Sequence, residues 1–347
     1  SLSRRLNCRD GLGDDRLSGR VLSGVLPTMP AEEIILDLKN LQLPDVEALQ
    51  LPDVISIYES LRPIMPTPRT VTPTNLSRLV DVLPEVDALI LDGYGVINVG
   101  DGPVTGIEEL CEQAARRHVS IIVLTNGASF GAEMAWQKYQ KWGLPIARDH
   151  VVSSRDALEA ALENCAAEIV YGSLSGTSQP LGYGSELHYG KDDDLLERAD
   201  EFVFLGTIDW HNDDQDRLEA AMRHRKRRLH VANPDVVSPQ ANGFAVEPGY
   251  WAMRAMKHAD APVSWYGKPH AAAFEMAFAR LEAVTGQRFE KSRVAMVGDS
   301  LHTDIIGGSA FGLRSVLLTD YGLFRDGGAR QMIDACGIYP DWIVDRL

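Results

Sequence analysis

Short apolar runs alternate with amphipathic stretches from residue 83 onward. Residues Ala88 to Leu91 form an unbroken apolar run that ends in Asp92-Gly93-Tyr94-Gly95. A run of this length bounded by turn residues predicts a buried strand. Ile107, Leu110, Cys111, Ala114 and Ala115 then recur at helical spacing, which predicts an apolar helix face over 106–117. A strand over 120–124 runs into Thr125-Asn126-Gly127, and a helix over about 130–142 stops at Gly143. Strand, helix and strand in this order imply a right-handed parallel crossover.

A second block of the same style spans 156–262. It carries predicted helices at 156–164 and 214–228, strands at 168–172, 201–206 and 229–232, and a polar looped region at 173–200. After Trp265-Tyr266-Gly267-Lys268-Pro269 comes a helix over 270–285 with Phe274, Phe278 and Leu281 on one face. A strand over 293–297 ends at Gly298-Asp299, and a helix over 303–311 and a strand over 315–318 complete the pattern. The first and last blocks match in style, so the middle block reads as an insertion into one sheet. This gives a core at 83–155 and 263–347, a cap at 156–262 and an N-terminal extension at 1–82. In the extension Gln-Leu-Pro-Asp-Val occurs at 42–46 and again at 50–54, and six prolines between 44 and 73 break any long helix. A short helix over 53–62 is expected there.

Composition narrows the function. The formal charge is −15, which argues against general binding to nucleic acid or an anionic membrane. No apolar run approaches the ~20 residues needed to span a bilayer. Cys8, Cys111, Cys165 and Cys336 are scattered without C-x-x-C spacing, which suits reduced thiols in a cytoplasmic protein. The basic run Arg223 to Arg228 is expected as a solvated helix end. Asp209-Trp210-His211 reads as the loop before that helix, capped by Asn212 or Asp213. If that loop faces the core, Trp210 and His211 would help select substrate.

Three polar sites stand at predicted strand ends: Asp92, Thr125-Asn126 and Asp299. Lys268 begins a helix. Parallel strands bring their carboxyl ends to one sheet edge, so these groups can converge. A carboxylate can attack phosphorus. A second carboxylate makes a hard oxygen site for Mg²⁺. A lysine and hydroxyl or N–H donors can hold the phosphoryl oxygens.

The motifs Leu89-Ile90-Leu91-Asp92-Gly93-Tyr94-Gly95-Val96, Val123-Leu124-Thr125-Asn126-Gly127, Gly267-Lys268-Pro269 and Gly298-Asp299-Ser300-Leu301-His302-Thr303-Asp304 resemble those of the haloacid dehalogenase superfamily. The resemblance is closest to its class IIA branch of sugar-phosphatase and 4-nitrophenylphosphatase-like hydrolases, which Ala232-Asn233-Pro234-Asp235 also resembles. It implies a Rossmann-like parallel α/β core with an inserted α/β cap of the C2 type. Motifs one and two lie about 33 residues apart, too close for a cap between them. The resemblance further implies that Asp92 is nucleophile and Mg²⁺ ligand. The Tyr94 carbonyl and Asp299 would also bind the ion, and Asp304 would ligate it or orient its shell. Thr125, Asn126, Gly127 and Lys268 would bind phosphate. The partner implied is a small phosphorylated metabolite, and the acidic surface and sizeable cap are compatible with a homodimer.

Tyr94 departs from the pattern. The phosphatases of this superfamily carry an aspartate there, which protonates the leaving oxygen and then deprotonates water. A phenol with a pKa near 10 is a poor base at neutral pH. Asp92-x-Tyr94-Gly also resembles the 2-haloacid dehalogenases, which displace halide without a metal or a general acid. Three functions therefore stand at this point: a Mg²⁺-dependent phosphatase, a dehalogenase-type hydrolase, and a phosphate-binding regulatory protein with little turnover.

Overall fold

The run at 88–91 is wholly buried, and it sits inside a seven-stranded sheet. The computed structural model describes residues 36, 38, 40–163, 168–175, 177–240 and 242–347. In chain order, helix α1 (Leu51–Leu61) precedes strands β1 (Thr74–Arg78) and β2 (Ala88–Leu91), a small hairpin of β3 (Asn98–Val99) and β4 (Gly102–Pro103), helix α2 (Ile107–Arg116), β5 (Ser120–Thr125), α3 (Ala132–Lys141), β6 (Val151–Ser153) and α4 (Ser154–Leu162). The middle of the chain forms β7 (Val170–Ser173), β8 (Ser185–His188), α5 (Leu195–Arg198), β9 (Glu201–Phe204), α6 (Asn212–His224), β10 (Leu229–Val231), a hairpin of β11 (Val237–Pro239) and β12 (Phe244–Val246), α7 (Pro248–Ala259) and β13 (Val263–Trp265). The chain ends with α8 (Ala271–Thr285), β14 (Val294–Gly298), a π-helical turn at Leu301–Ile305, α9 (Ile306–Phe311), β15 (Arg314–Leu318), α10 (Ala329–Cys336) and β16 (Trp342–Arg346).

The core sheet has the order β1-β16-β15-β14-β2-β5-β6, and every neighbouring pair is parallel. The chain builds outward from β2 through β5 and β6 on one side. On the other side it builds outward from β14 through β15 and β16. The β2–β14 boundary is thus the point where strand order reverses, the place where open α/β sheets form a ligand crevice. Leu91 pairs with Val297 on one side and Val123 on the other, so Asp92, Asp299 and Thr125 leave the sheet at the same edge. The all-apolar β2 is explained by its position: a parallel strand covered on both faces has no polar side. Truncating a buried leucine of it, such as Leu91, would cost about 2–5 kcal/mol. The second sheet, also all parallel, has the order β13-β10-β9-β7-β8.

The domain limits differ from those read in the sequence. Residues 1–82 are not wholly an extension, because β1 is the edge strand of the core sheet and pairs with β16 from Thr74↔Trp342 onward. Its sequence, Thr-Asn-Leu-Ser-Arg, is polar at every position but Leu76, as an edge strand can be, and so it carries no apolar signal. At the other junction β13 pairs with β10, so the second sheet extends past 262 to Trp265. The polar region 173–200 contains β8 and α5. Helix α1 begins at the second Gln-Leu-Pro-Asp-Val: Pro52 lies in its first turn, and the Asp53 carboxylate accepts the Gln50 N–H at 2.9 Å.

The basic run is not simply a solvated helix end. Arg227 is buried and donates to the carbonyls of Leu196, Ala199 and Ala221, and Arg225 donates to those of Glu197 and Ala199. These arginines satisfy carbonyls around the short helix α5 and do not form a free basic patch. Cys111 is buried and Cys336 half-buried, both as free thiols, while Cys8 and Cys165 lie outside the described residues. Among the described residues no helix is long and apolar enough to cross a membrane.

Candidate active site

Asp92 is fixed before its side chain is considered. Its N–H donates to the Val297 carbonyl at 2.9 Å, which continues the β2–β14 ladder into the loop. Its Oδ1 accepts the Gly93 N–H at 2.6 Å and lies 2.6 Å from Lys268 Nζ. The same ammonium lies 2.7 Å from Asp304 Oδ1, while Asp304 Oδ2 accepts the Ser300 N–H at 3.1 Å. Asp299 Oδ2 accepts the Leu323 N–H at 2.9 Å. One oxygen from each of Asp92, Asp299 and Asp304 lies within 4.8 Å of the others, and all three residues are buried. Two glycines permit this crowding. Gly95 has φ +82°, and a Cβ on it would sit 2.5 Å from Asp299 Cγ. A Cβ on Gly298 would sit 2.0 Å from Asp304 Cγ.

The charge balance is strongly negative. Burial opposes the Lys268 cation, but Asp304, Asp92 and Asp235 together hold it well above its ordinary range. Burial raises Asp92 most, the Lys268 ammonium opposes it and Asp304 and Asp235 add to it, for a net rise to about 8. The ammonium 2.6 Å away favours the carboxylate form, and a divalent cation beside it would favour that form further. Asp299 is raised well above the carboxylate range by burial and by Asp304 and Asp92. One lysine thus faces a set of acids it cannot neutralise. Hard oxygen donors, an excess of negative charge and a cavity open above them fit a divalent cation of the Mg²⁺ type.

That cavity has a volume of about 490 Å³, and Asp92, Tyr94, Thr125, Gly127 and Asp299 are among its lining residues. Tyr94 contributes its ring as a wall; burial, then Glu247 and Asp101, raise its phenol above 10. The Thr125 hydroxyl accepts the Gly127 N–H at 3.2 Å. The Asn126 side chain is engaged within the protein. Its oxygen accepts the Lys268 N–H at 2.8 Å, and its amide donates to the Lys268 carbonyl at 3.2 Å and to Asp235 Oδ1 at 2.9 Å. Both amide protons are committed, so Asn126 braces the Lys268 backbone against the core.

Several lining residues carry no motif. Lys138, from α3, is lowered to about 8 by burial, against the pull of Asp101 and Asp92. Glu247, which precedes α7, is raised to about 7 by burial, although its bond from Ser238 at 2.6 Å opposes the rise. Asp235 is raised to about 7 by burial, against Lys268 and Asn126. Tyr58 of α1 also lines the cavity. Only Asp235 left a trace in the sequence, within the Asn-Pro-Asp segment. Trp210 and His211 do not serve the cavity. Trp210 is buried with its Nε1–H bound to Gln215, and His211 itself caps α6 in place of Asn212 or Asp213. The residues of that loop which line the cavity are Thr207 and Ile208, the latter 72% exposed.

Residues 89–176 match a family model described as haloacid dehalogenase-like hydrolase, and residues 265–347 match a second, described as HAD-hydrolase-like. The first match holds Asp92 and Thr125; the second holds Lys268, Asp299 and Asp304. The chain belongs to the haloacid dehalogenase-like hydrolases. It is 24% identical over 231 residues to the acid sugar phosphatase of Staphylococcus haemolyticus, covering 65% of this chain and 82% of that one. A crystal structure described as a possible sugar phosphatase from Cytophaga hutchinsonii superposes with a TM-score of 0.68 at 24% identity, over 79% of this chain and 98% of that one. A glycerol phosphate phosphatase of Mycobacterium tuberculosis, solved in complex with magnesium, gives 0.54 at 21% identity over 69% and 70% of the two chains. At these identities the structural likenesses establish the haloacid dehalogenase-like fold, with its parallel core.

Proposed function

We propose that this hydrolase cleaves a small phosphate monoester through an aspartyl-phosphate at Asp92. The observation that carries the reading is the Lys268 bridge. One buried ammonium touches both Asp92 and Asp304, at 2.6 and 2.7 Å, at the base of a cavity that Asp92 lines. That bridge favours the ionised form of Asp92 and aims it from a rigid strand end. Asp92 attacks phosphorus, and the bond from phosphorus to the leaving oxygen breaks. Water then attacks the aspartyl-phosphate, releasing phosphate and restoring the carboxylate. Lys268 offsets phosphoryl charge, and the Thr125 hydroxyl and nearby backbone N–H groups orient its oxygens.

Asp92, Asp299 and Asp304 would hold Mg²⁺, which supplies positive charge to the phosphoryl group as a Lewis acid. Tyr94 cannot relay the proton. Lys138 and Glu247, both on the cavity wall and both brought toward neutrality, are the proton carriers in its place. The buried set of three aspartates weighs against a metal-free dehalogenase, which has no use for it.

The test is phosphate release from a panel of monoesters with Mg²⁺. Release is expected to vanish with EDTA and to fall by more than about 10³-fold in Asp92→Asn. Metal-independent halide release from 2-haloacids, with no phosphate release, would replace the phosphatase with a dehalogenase.

A further inference from the structure

A second cluster of donor atoms lies behind the site, with a different chemistry. Glu59 of α1, His302 of the π-helical turn and Cys336 at the end of α10 each offer one ligand atom, all within 4.8 Å of one another. His302 Nε2 lies 2.6 Å from Glu59 Oε1. The imidazole is buried, and the Tyr58 ring stacks on it at 5.0 Å with the planes 4° apart, so its orientation is set by packing. Glu59 is partly exposed, its side chain 39% accessible, and Cys336 is half-buried, so a water could reach the cluster from outside.

The donor set is one carboxylate oxygen, one imidazole nitrogen and one thiol sulfur. Mg²⁺ has little use for sulfur or nitrogen, whereas Zn²⁺ favours such a set. Three protein donors from separate elements, with a solvent-facing fourth direction, match an open tetrahedral site. Zinc–ligand distances of about 2.0–2.3 Å place such donors about 3.3–3.6 Å apart. The spacing requires the Glu59 carboxylate to retreat from His302 by under about 1 Å, within reach of a partly exposed side chain.

We propose that Glu59, His302 and Cys336 bind a Zn²⁺-like ion that staples α1 to the hydrolase core. On binding, the thiol proton passes to solvent, the proton on His302 Nε2 that faces Glu59 is exchanged so that the neutral ring carries its proton on Nδ1, and the thiolate and the freed Nε2 coordinate the ion. The staple bears on the active site through the neighbouring residue. The Tyr58 hydroxyl accepts the Val236 N–H at 2.9 Å, next to Asp235, and Tyr58 lines the catalytic cavity. Securing Glu59 therefore secures Tyr58 between the two parts of the molecule. Without an ion, Glu59 takes hydrogen bonds from both His302 and the Cys336 thiol, and that arrangement would hold α1 as well.

Cobalt titration of the full chain separates the two, with saturating Mg²⁺ present to fill the carboxylate site. The expected result is a thiolate-to-cobalt charge-transfer band that saturates at one equivalent, is displaced by Zn²⁺, and survives Asp299→Asn. It is expected to disappear in Cys336→Ser, and Glu59→Gln is expected to weaken Co²⁺ binding about tenfold or more. Zn²⁺ should also raise the melting temperature of the wild type and leave that of Cys336→Ser unmoved. Absence of the band in the wild type, or its persistence in Cys336→Ser, overturns the proposal whether or not the protein proves to be a phosphatase.

Discussion

Lys138 holds its ammonium over the Tyr94 ring, 4.6 Å from the centroid, and donates to Asn98 Oδ1 at 3.2 Å. Family phosphatases keep a second aspartate at position 94, and here a ring and a lysine occupy that space instead. Such a pair contributes about 0.5–1 kcal/mol or more when partly desolvated. It also draws an amine with a lowered pKa toward the nucleophile.

Restoring the carboxylate is the direct test of whether proton transfer limits the rate. In Tyr94→Asp the new side chain is shorter, lies below Lys138, and gains a cation to pair with. General acid–base help is typically about 10²–10⁴-fold, so a turnover gain of about tenfold or more is expected if the aspartate is even partly aligned. Steady-state kcat on the best monoester is the measurement. An unchanged or lower kcat with intact folding would show that the wild type already has an adequate proton carrier.

The wild-type carrier can be sought at Lys138. Burial lowers it to about 8, so it is a cation below that pH and an amine above it. Phosphate esters are anions, and binding should weaken as the cation is lost. The expected kcat/KM of the wild type therefore falls as pH rises through about 8. In Lys138→Met the overall value drops by about 10-fold or more and this limb disappears. A limb that persists in Lys138→Met belongs to another group.

Asn126 tests positioning. Its side chain makes three buried hydrogen bonds that tie β5 to the Lys268 backbone and to Asp235. Asn126→Ala leaves the Lys268 N–H and Asp235 without these partners, at a cost of about 2–4 kcal/mol in stability. Because Lys268 bridges Asp92 and Asp304, kcat is expected to fall more than KM rises. Urea unfolding and steady-state kinetics on one preparation would check both. A large rise in KM with kcat unchanged would instead make Asn126 a direct phosphate ligand.

How much of this was legible follows from where each signal comes from. Core strands buried on both faces, such as Ala88–Leu91 and Val294–Gly298, are apolar throughout and announce themselves. The groups at their ends, Asp92, Thr125 and Asp299, follow from the parallel arrangement. β1 was not legible, because an edge strand polar at all but one position looks like a loop until β16 lies beside it. Nor was β13, whose partner β10 lies more than 30 residues earlier in the chain. Glu247 and Lys138 carried no motif, since what marks them is burial against the cavity, which one residue's neighbours in sequence do not report. Asn126 stands at the expected strand end, and its side chain is engaged within the protein. Its partners Lys268 and Asp235 lie over 100 residues away, so only the fold reveals that its donors are already committed.

Glu247 ties the cavity to the pH dependence of stability. Burial raises it from 4.5 to about 7, so between those values the folded protein binds a proton that the unfolded chain has released. Its contribution to stability therefore falls as pH rises from about 4.5 to about 7, and the penalty is complete above 7. The full shift would correspond to roughly 3 kcal/mol, and water in the adjoining cavity lowers the effect to about 1–2 kcal/mol. Glu247→Gln removes the charge but turns an amide toward Asn233, which now donates to Glu247 Oε2 at 2.9 Å. That second cost does not depend on pH, so it cancels when the variant is compared with wild type at two pH values. Urea unfolding at pH 5 and pH 8 should show the variant gaining about 1–2 kcal/mol relative to wild type at the higher pH. Asp235, raised to about 7 by the same burial, keeps part of the slope in the variant. Equal differences at both pH values would mean that Glu247 is ionised throughout this range, and it would then be unfit to carry the proton that Tyr94 cannot.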